Sequence, residues 1–162
     1  MENFLKKAVL FLVKFGIIFG ILHYLLLVGN ILFFQEWLAK TIGNLLQLNV
    51  QNEVISLGIY SLVVSPSCTG LVSSIILAGI VFSLKKPELK TKFKIVLLSA
   101  IVFLIVNFFR VFLVVWTAKM LGFQYAEALH QLTWFAMSGI ILVLWYGWMK
   151  KTVGIRNFGE LI

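Results

Sequence analysis

Four stretches of this chain are almost continuously apolar, and polar breaks separate them. A hydrocarbon core about 30 Å thick is crossed by about 20 helical residues. Residues 8–28, 66–84, 95–118 and 128–148 reach that length and predict four transmembrane helices. The first run follows Lys6 and Lys7, as the apolar region of a signal peptide would. It is long for that role and no small-x-small site follows it, so an uncleaved span is expected.

Between the first two runs, residues 30–64 change period. Ile31, Phe34, Leu38, Ile42 and Leu45 recur at helical spacing, with Glu36, Lys40, Asn44 and Gln47 opposite. That pattern predicts an amphipathic helix lying in the outer interface, with Glu36 and Lys40 as an i,i+4 pair. Residues 49–64 are rich in Val, Ile and Tyr around Leu57-Gly58, which predicts a short β-hairpin. Two roles are open for this segment: a structural lid, or a platform for an extended peptide.

Composition agrees with the pattern. The chain is 61% apolar and 12% charged, against roughly 45–50% and about 25% in soluble domains. Its mean hydropathy is +1.03. A soluble globular domain, a disordered tail and a disulfide-stapled module are excluded. The expected fold is an all-α polytopic membrane protein of one domain. A single cysteine permits no internal disulfide.

Fourteen Lys and Arg against six Asp and Glu give a net charge of +8. Lys6, Lys7 and Lys14 lie at or near the start of the first span. Lys85, Lys86, Lys90, Lys92 and Lys94 separate the second from the third, and Lys150, Lys151 and Arg156 follow the fourth. The opposite side keeps Lys40 and Lys119. The positive-inside rule then places both termini in the cytoplasm and residues 30–64 outside. The excess charge reports topology rather than nucleic-acid binding, because the basic loops are short and lack interleaved aromatics. Trp145, Tyr146 and Trp148 suit an inner aromatic belt; Trp37, Trp116, Tyr125 and Trp134 suit an outer one.

Few residues carry candidate chemistry. Ser65-Pro66 reads as an N-cap and first helical residue, which places Cys68 in the first turn of the second span. Unpaired amides and the helix dipole there favour the reactive thiolate. The plainer alternative is a buried Cys acting as a small hydrophobe. Arg110 lies about eight residues below the outer end of its span, roughly 12 Å deep. An Arg near the centre of a span costs about 2.5–3.5 kcal/mol, so function outweighs snorkelling as its explanation. Asn107, one turn earlier, shares its face. By itself Asn107 reads as a helix–helix hydrogen bond. His130 opens the fourth span, with Glu127 one turn before it, either orienting its ring or solvated. An interfacial His touching headgroups is the bland alternative. His23 is the competing base and reads as an interhelical hydrogen-bonding group. No CxxC or HExxH occurs, so neither metal nor cofactor is expected. A thiol, an imidazole and a guanidinium in the outer half of separate spans suggest acyl transfer.

These residues resemble the exosortase/archaeosortase family of membrane transpeptidases. Its pattern is Cys-x-Gly at the start of one span, Asn-x-x-Arg in the next and His in the one after. Here that is Cys68-Thr69-Gly70, Asn107-Phe108-Phe109-Arg110 and His130, across residues 30–138. The resemblance implies a cysteine transpeptidase of the cell membrane in a compact form. It implies Cys68 as nucleophile, His130 as general base and acid, Arg110 as oxyanion stabiliser, and Asn107, Thr69 and Gly70 in support. It also implies secreted protein substrates whose C-terminal sorting signal has a short motif, a hydrophobic span and a basic tail. The acceptor is a lipid, another nucleophile or water. Two rivals remain at this point: a non-enzymatic assembly factor or small transporter that uses Arg110 to bind an anion, and a Cys-dependent lipid acyltransferase.

Overall fold

A computed structural model of the chain describes residues 2–153; the expected inner-side Arg156 lies outside them. The elements are helices α1 (Glu2–Val28) and α2 (Leu32–Leu46), then strands β1 (Val50–Gln51), β2 (Val54–Leu57) and β3 (Tyr60–Val63). A single 3-10 turn (Pro66–Cys68) leads to helices α3 (Leu71–Ser83), α4 (Leu89–Met120) and α5 (Phe123–Val153). Among the described residues, α1, α4 and α5 are long and apolar enough to cross a membrane.

The second expected span is corrected. The apolar run of residues 66–84 is not one helix. It holds the 3-10 turn, then Gly70 at φ +85°, then α3 with 13 residues. Thirteen residues rise roughly 20 Å, short of a bilayer core. The break has a steric cause. A Cβ on Gly70 would lie 2.7 Å from the Phe103 carbonyl oxygen, so only glycine lets the chain approach α4 this closely. Hydropathy cannot register that, because the residues on both sides of the break are equally apolar.

Below the break, α3 runs antiparallel to α4. Gly70 abuts Phe103 and Asn107 at one end, and Lys92 Nζ donates to the Leu84 carbonyl at 2.5 Å at the other. Lys92 is therefore buried as a C-terminal cap for α3 rather than free in a basic loop. On its other side α3 meets α1, whose Phe15 and Phe19 close over Gly79. Leu77, Val81, Leu84, Ile95, Phe103, Met137, Ile141 and Met149 form the core of this half, with Trp145 and Trp148 packed against it.

The other half surrounds the C-terminal part of α4. The expected hairpin is present: Leu57 pairs with Tyr60 across a two-residue turn in which Gly58 takes φ +65°. A third strand extends it, with Val50 opposite Ile55. Helix α2 also forms where expected, and Lys40 Nζ bonds Glu36 at 2.9 Å. Its inward face differs from the expected one. Leu38 and Ile42 are buried, but so are Gln35, Ala39, Gly43 and Leu46, while Phe34 and Leu45 are exposed. Small residues face inward because α2 packs tightly on α4 and the sheet. Large apolar residues face outward, as surfaces bathed in lipid permit. Lys40, Asn44 and Gln47 on the expected polar side are exposed, so the amphipathic spacing finds the inward side of α2 but misassigns Phe34 and Leu45. Lys119 Nζ donates to the Leu46 carbonyl at 2.6 Å and ties the end of α2 to α4. Leu38, Ala39, Ile42, Leu46, Ile55, Val64, Val111 and Val115 form this second core, and Cys68 belongs to it.

Candidate active site

Cys68 closes the 3-10 turn, its amide donating to the Ser65 carbonyl at 2.9 Å. The Ser65 hydroxyl makes no cap bond. Its Oγ lies 2.7 Å from Ser67 Oγ and 3.4 Å from Cys68 Sγ. Ser65 and Pro66 thus stand at the expected N-cap and first helical position, but of a one-turn 3-10 segment, and the placement of Cys68 in a long helix's first turn is corrected. A one-turn 3-10 segment has no macrodipole comparable to that of a helix. The positive charge in the neighbourhood of Cys68 is instead the Arg110 guanidinium. Thr69 secures the turn from behind. Its Oγ1 donates to the Pro66 carbonyl at 2.7 Å and accepts from the Leu71 amide at 3.4 Å.

Arg110 is 6% exposed, which excludes snorkelling to the headgroups. Its donors are distributed over two helices. Nε donates to Thr133 Oγ1 at 3.2 Å and Nη1 to Asn107 Oδ1 at 3.1 Å. The guanidinium also lies 5.4 Å from the Trp134 ring centre. Among the described residues no carboxylate pairs with it. A buried cation without a counter-ion is expensive and is suited to receive negative charge from elsewhere.

Nη2 lies 3.4 Å from His130 Nδ1 and 3.5 Å from Nε2. A donor in the ring plane cannot be equally near both nitrogens, because Cε1–H stands between them. The guanidinium therefore lies over the ring face, and neither contact is a directed hydrogen bond. Both imidazole nitrogens stay available in the plane. Thr133 Oγ1 donates to the His130 carbonyl at 2.9 Å, so one hydroxyl links the imidazole's backbone to the guanidinium.

Cys68 and His130 line a common cleft of about 240 Å³, with Ser65 and Glu127 on its polar side and Leu62, Val63 and Val114 on its apolar side. Glu127 makes no bond to His130 among the described residues, which favours its solvated reading. An apolar groove of about 410 Å³ opens on the other side of the turn, between α2 and α4, with Thr69 at its edge. His23 is remote from this cluster. It stacks on Phe19 with ring centres 5.4 Å apart, and its buried Nδ1 has no partner, so the expected interhelical hydrogen bond is absent.

The structure thus gathers Cys68, Thr69, Gly70, Asn107, Arg110 and His130 around one site. Sequence reading overlooked Thr133 and gave Trp134 to the outer aromatic belt without its contact to Arg110. Thr133 stands one helical turn after His130, and that spacing was the signal available.

A helical membrane protein that holds a buried thiol, a guanidinium without a counter-ion among the described residues and an imidazole on three elements carries groups that acyl transfer uses. The chain belongs to the transmembrane exosortase family, whose model matches residues 4–147 and so includes every residue of this site. Neither the curated proteins nor the solved structures give a match to it.

Proposed function

We propose that this protein is a cysteine transpeptidase that cleaves the C-terminal sorting signals of secreted proteins at the outer face of the cell membrane. The observation that carries the proposal is the convergence of Cys68, Arg110 and His130, from the 3-10 turn, α4 and α5, in a chain of the exosortase family. Members of that family are generally cysteine transpeptidases.

The chemistry follows from the groups present. His130 takes the Cys68 proton, and the thiolate attacks the scissile carbonyl carbon. A C–S bond forms while the carbonyl π pair moves to oxygen. The buried Arg110 charge offsets that oxyanion in a poorly hydrated site, with Asn107 in support. Collapse restores the carbonyl and breaks the C–N bond, and His130 returns the proton to the leaving amine. The acyl-Cys68 is then attacked by a lipid, another nucleophile or water.

The proposed topology has both termini in the cytoplasm and four crossings, the second made by α3 together with residues 64–70. Two observations support this. Leu84 lies beside Lys92, and Val64 lines a cavity with Val114 and Val115. The stretch of α4 between those levels is roughly 35 Å long.

Co-expression with a secreted protein bearing a tripartite signal tests the function. Cys68→Ala leaves the precursor uncleaved on a gel while protein levels stay normal. Persistent cleavage by Cys68→Ala overturns the nucleophilic mechanism. The groove beside Thr69 favours one alternative, a Cys-dependent acyl transfer involving lipid. The mass of the trapped acyl-Cys68 separates the two, as a peptide adduct or a fatty acyl adduct.

A further inference from the structure

Asn107 is 1% exposed, and a neighbour decides the orientation of its carboxamide. Its Oδ1 accepts from Arg110 Nη1 at 3.1 Å. Nδ2 cannot accept that bond, so the NH2 group must face away from Arg110. On that side it meets the turn that carries the nucleophile. A Cβ on Gly70, two residues after Cys68, would lie 2.8 Å from Nδ2. Nδ2 is buried there and has no hydrogen-bond partner among the described residues.

A buried amide donor without an acceptor is rare, and each such group calls for an explanation. Arg110 offers a contrast. Its Nε is taken by Thr133, Nη1 by Asn107, and Nη2 lies over the His130 ring. Beside the turn that carries Cys68, the buried nitrogen without any partner among the described residues is Asn107 Nδ2.

On the reading that Cys68 is the nucleophile, we infer that Asn107 Nδ2 is the hydrogen-bond donor to the oxyanion formed there. Arg110, whose charge offsets the oxyanion, also orients the carboxamide, and Thr133 is a positioning residue. Thr133 and Asn107 hold the two edges of the guanidinium, and the guanidinium fixes and polarises the carboxamide. When the thiolate adds to the carbonyl, the displaced π pair on oxygen accepts from Nδ2, and that bond lapses when the C–N bond breaks. In the resting enzyme the donor waits dehydrated, which is the preorganisation such stabilisation needs.

The test is Asn107→Asp in the full-length protein in detergent micelles. The carboxylate keeps the acceptor for Arg110 and removes both donors. Two rates are read: cleavage of a tripartite-signal substrate, and alkylation of Cys68 by iodoacetamide, which forms no oxyanion. The expected result is a fall in kcat of about 10²–10³ with KM and the alkylation rate unchanged. Cleavage within about threefold of the parent, or an equal fall in alkylation, overturns the assignment. If the carboxylate variant does not fold, Asn107→Ser and Asn107→Ala replace it. The hydroxyl variant must then retain more activity than the alanine, and equal activity overturns the assignment. Cys68→Ala is run in parallel. If it cleaves, the nucleophilic reading fails; if it is inert while Asn107→Asp is active, this inference alone fails.

Discussion

Gly70→Ala isolates the packing that breaks the second apolar run. Gly70 has φ +85°, a region that costs an L-residue about 1–2 kcal/mol. The added methyl would lie 2.7 Å from the Phe103 carbonyl oxygen, 2.8 Å from Asn107 Nδ2 and 3.0 Å from the Phe103 carbonyl carbon. Two of those atoms are helix backbone and cannot swing aside, so the turn must move off α4. Overpacking of that kind costs about 1–3 kcal/mol. The expected destabilisation is about 2–5 kcal/mol. Gly58→Ala is the control. Gly58 has φ +65°, but nothing lies within 4 Å of where its added methyl would stand, so only the backbone cost of about 1–2 kcal/mol applies. Both variants are compared with the parent by SDS titration in mixed micelles, and Cys68 alkylation reports the position of the turn. Gly70→Ala should lose clearly more stability and change the alkylation rate, whereas Gly58→Ala should leave that rate alone. Equal losses for the two glycines would refute the close approach to α4, and with it the physical reason given for the broken span.

Three further outcomes are expected. Arg110→Lys should lower cleavage by at least about 10², because one ammonium on a shorter reach cannot hold both Thr133 and Asn107 in the guanidinium geometry; near-normal cleavage would leave Arg110 as a simple charge. His130→Ala should lower cleavage by about 10²–10⁴, the usual contribution of a general acid–base group, while His23→Ala changes packing alone. The reverse ranking at equal protein levels would reassign the base. For topology, single cysteines introduced at Asn52 and Lys90 in a Cys68→Ala background should respond oppositely to an impermeant maleimide in intact cells, with position 52 labelled and position 90 silent; labelling at 90 alone inverts the proposed orientation.

Much of this protein was legible along the chain because lipid imposes one dominant rule on sequence. Three of the four apolar runs are long helices, since an apolar stretch of that length has few other ways to satisfy its backbone in hydrocarbon. The hairpin around Gly58 and the Glu36–Lys40 pair were equally visible, being set by residues within a few positions of each other. The gathering of Cys68, Arg110 and His130 was anticipated from the cost of placing polar groups in a membrane, which leaves them little choice but one another. What tertiary structure alone decided lies at contacts distant in sequence. Gly70 breaks the second run because Phe103 leaves no room for a side chain, and hydropathy carries no trace of a steric limit imposed from another helix. The burial of Gln35, Ala39 and Gly43 beside Leu38 and Ile42 on α2 follows tight packing, which hydrophobic spacing does not register. Lys92 and Lys119 cap helices from afar, where a sequence shows only loop charge. The bond from Arg110 to Asn107 turns an amide toward Gly70, and a side chain's orientation exists only once its neighbours are in place.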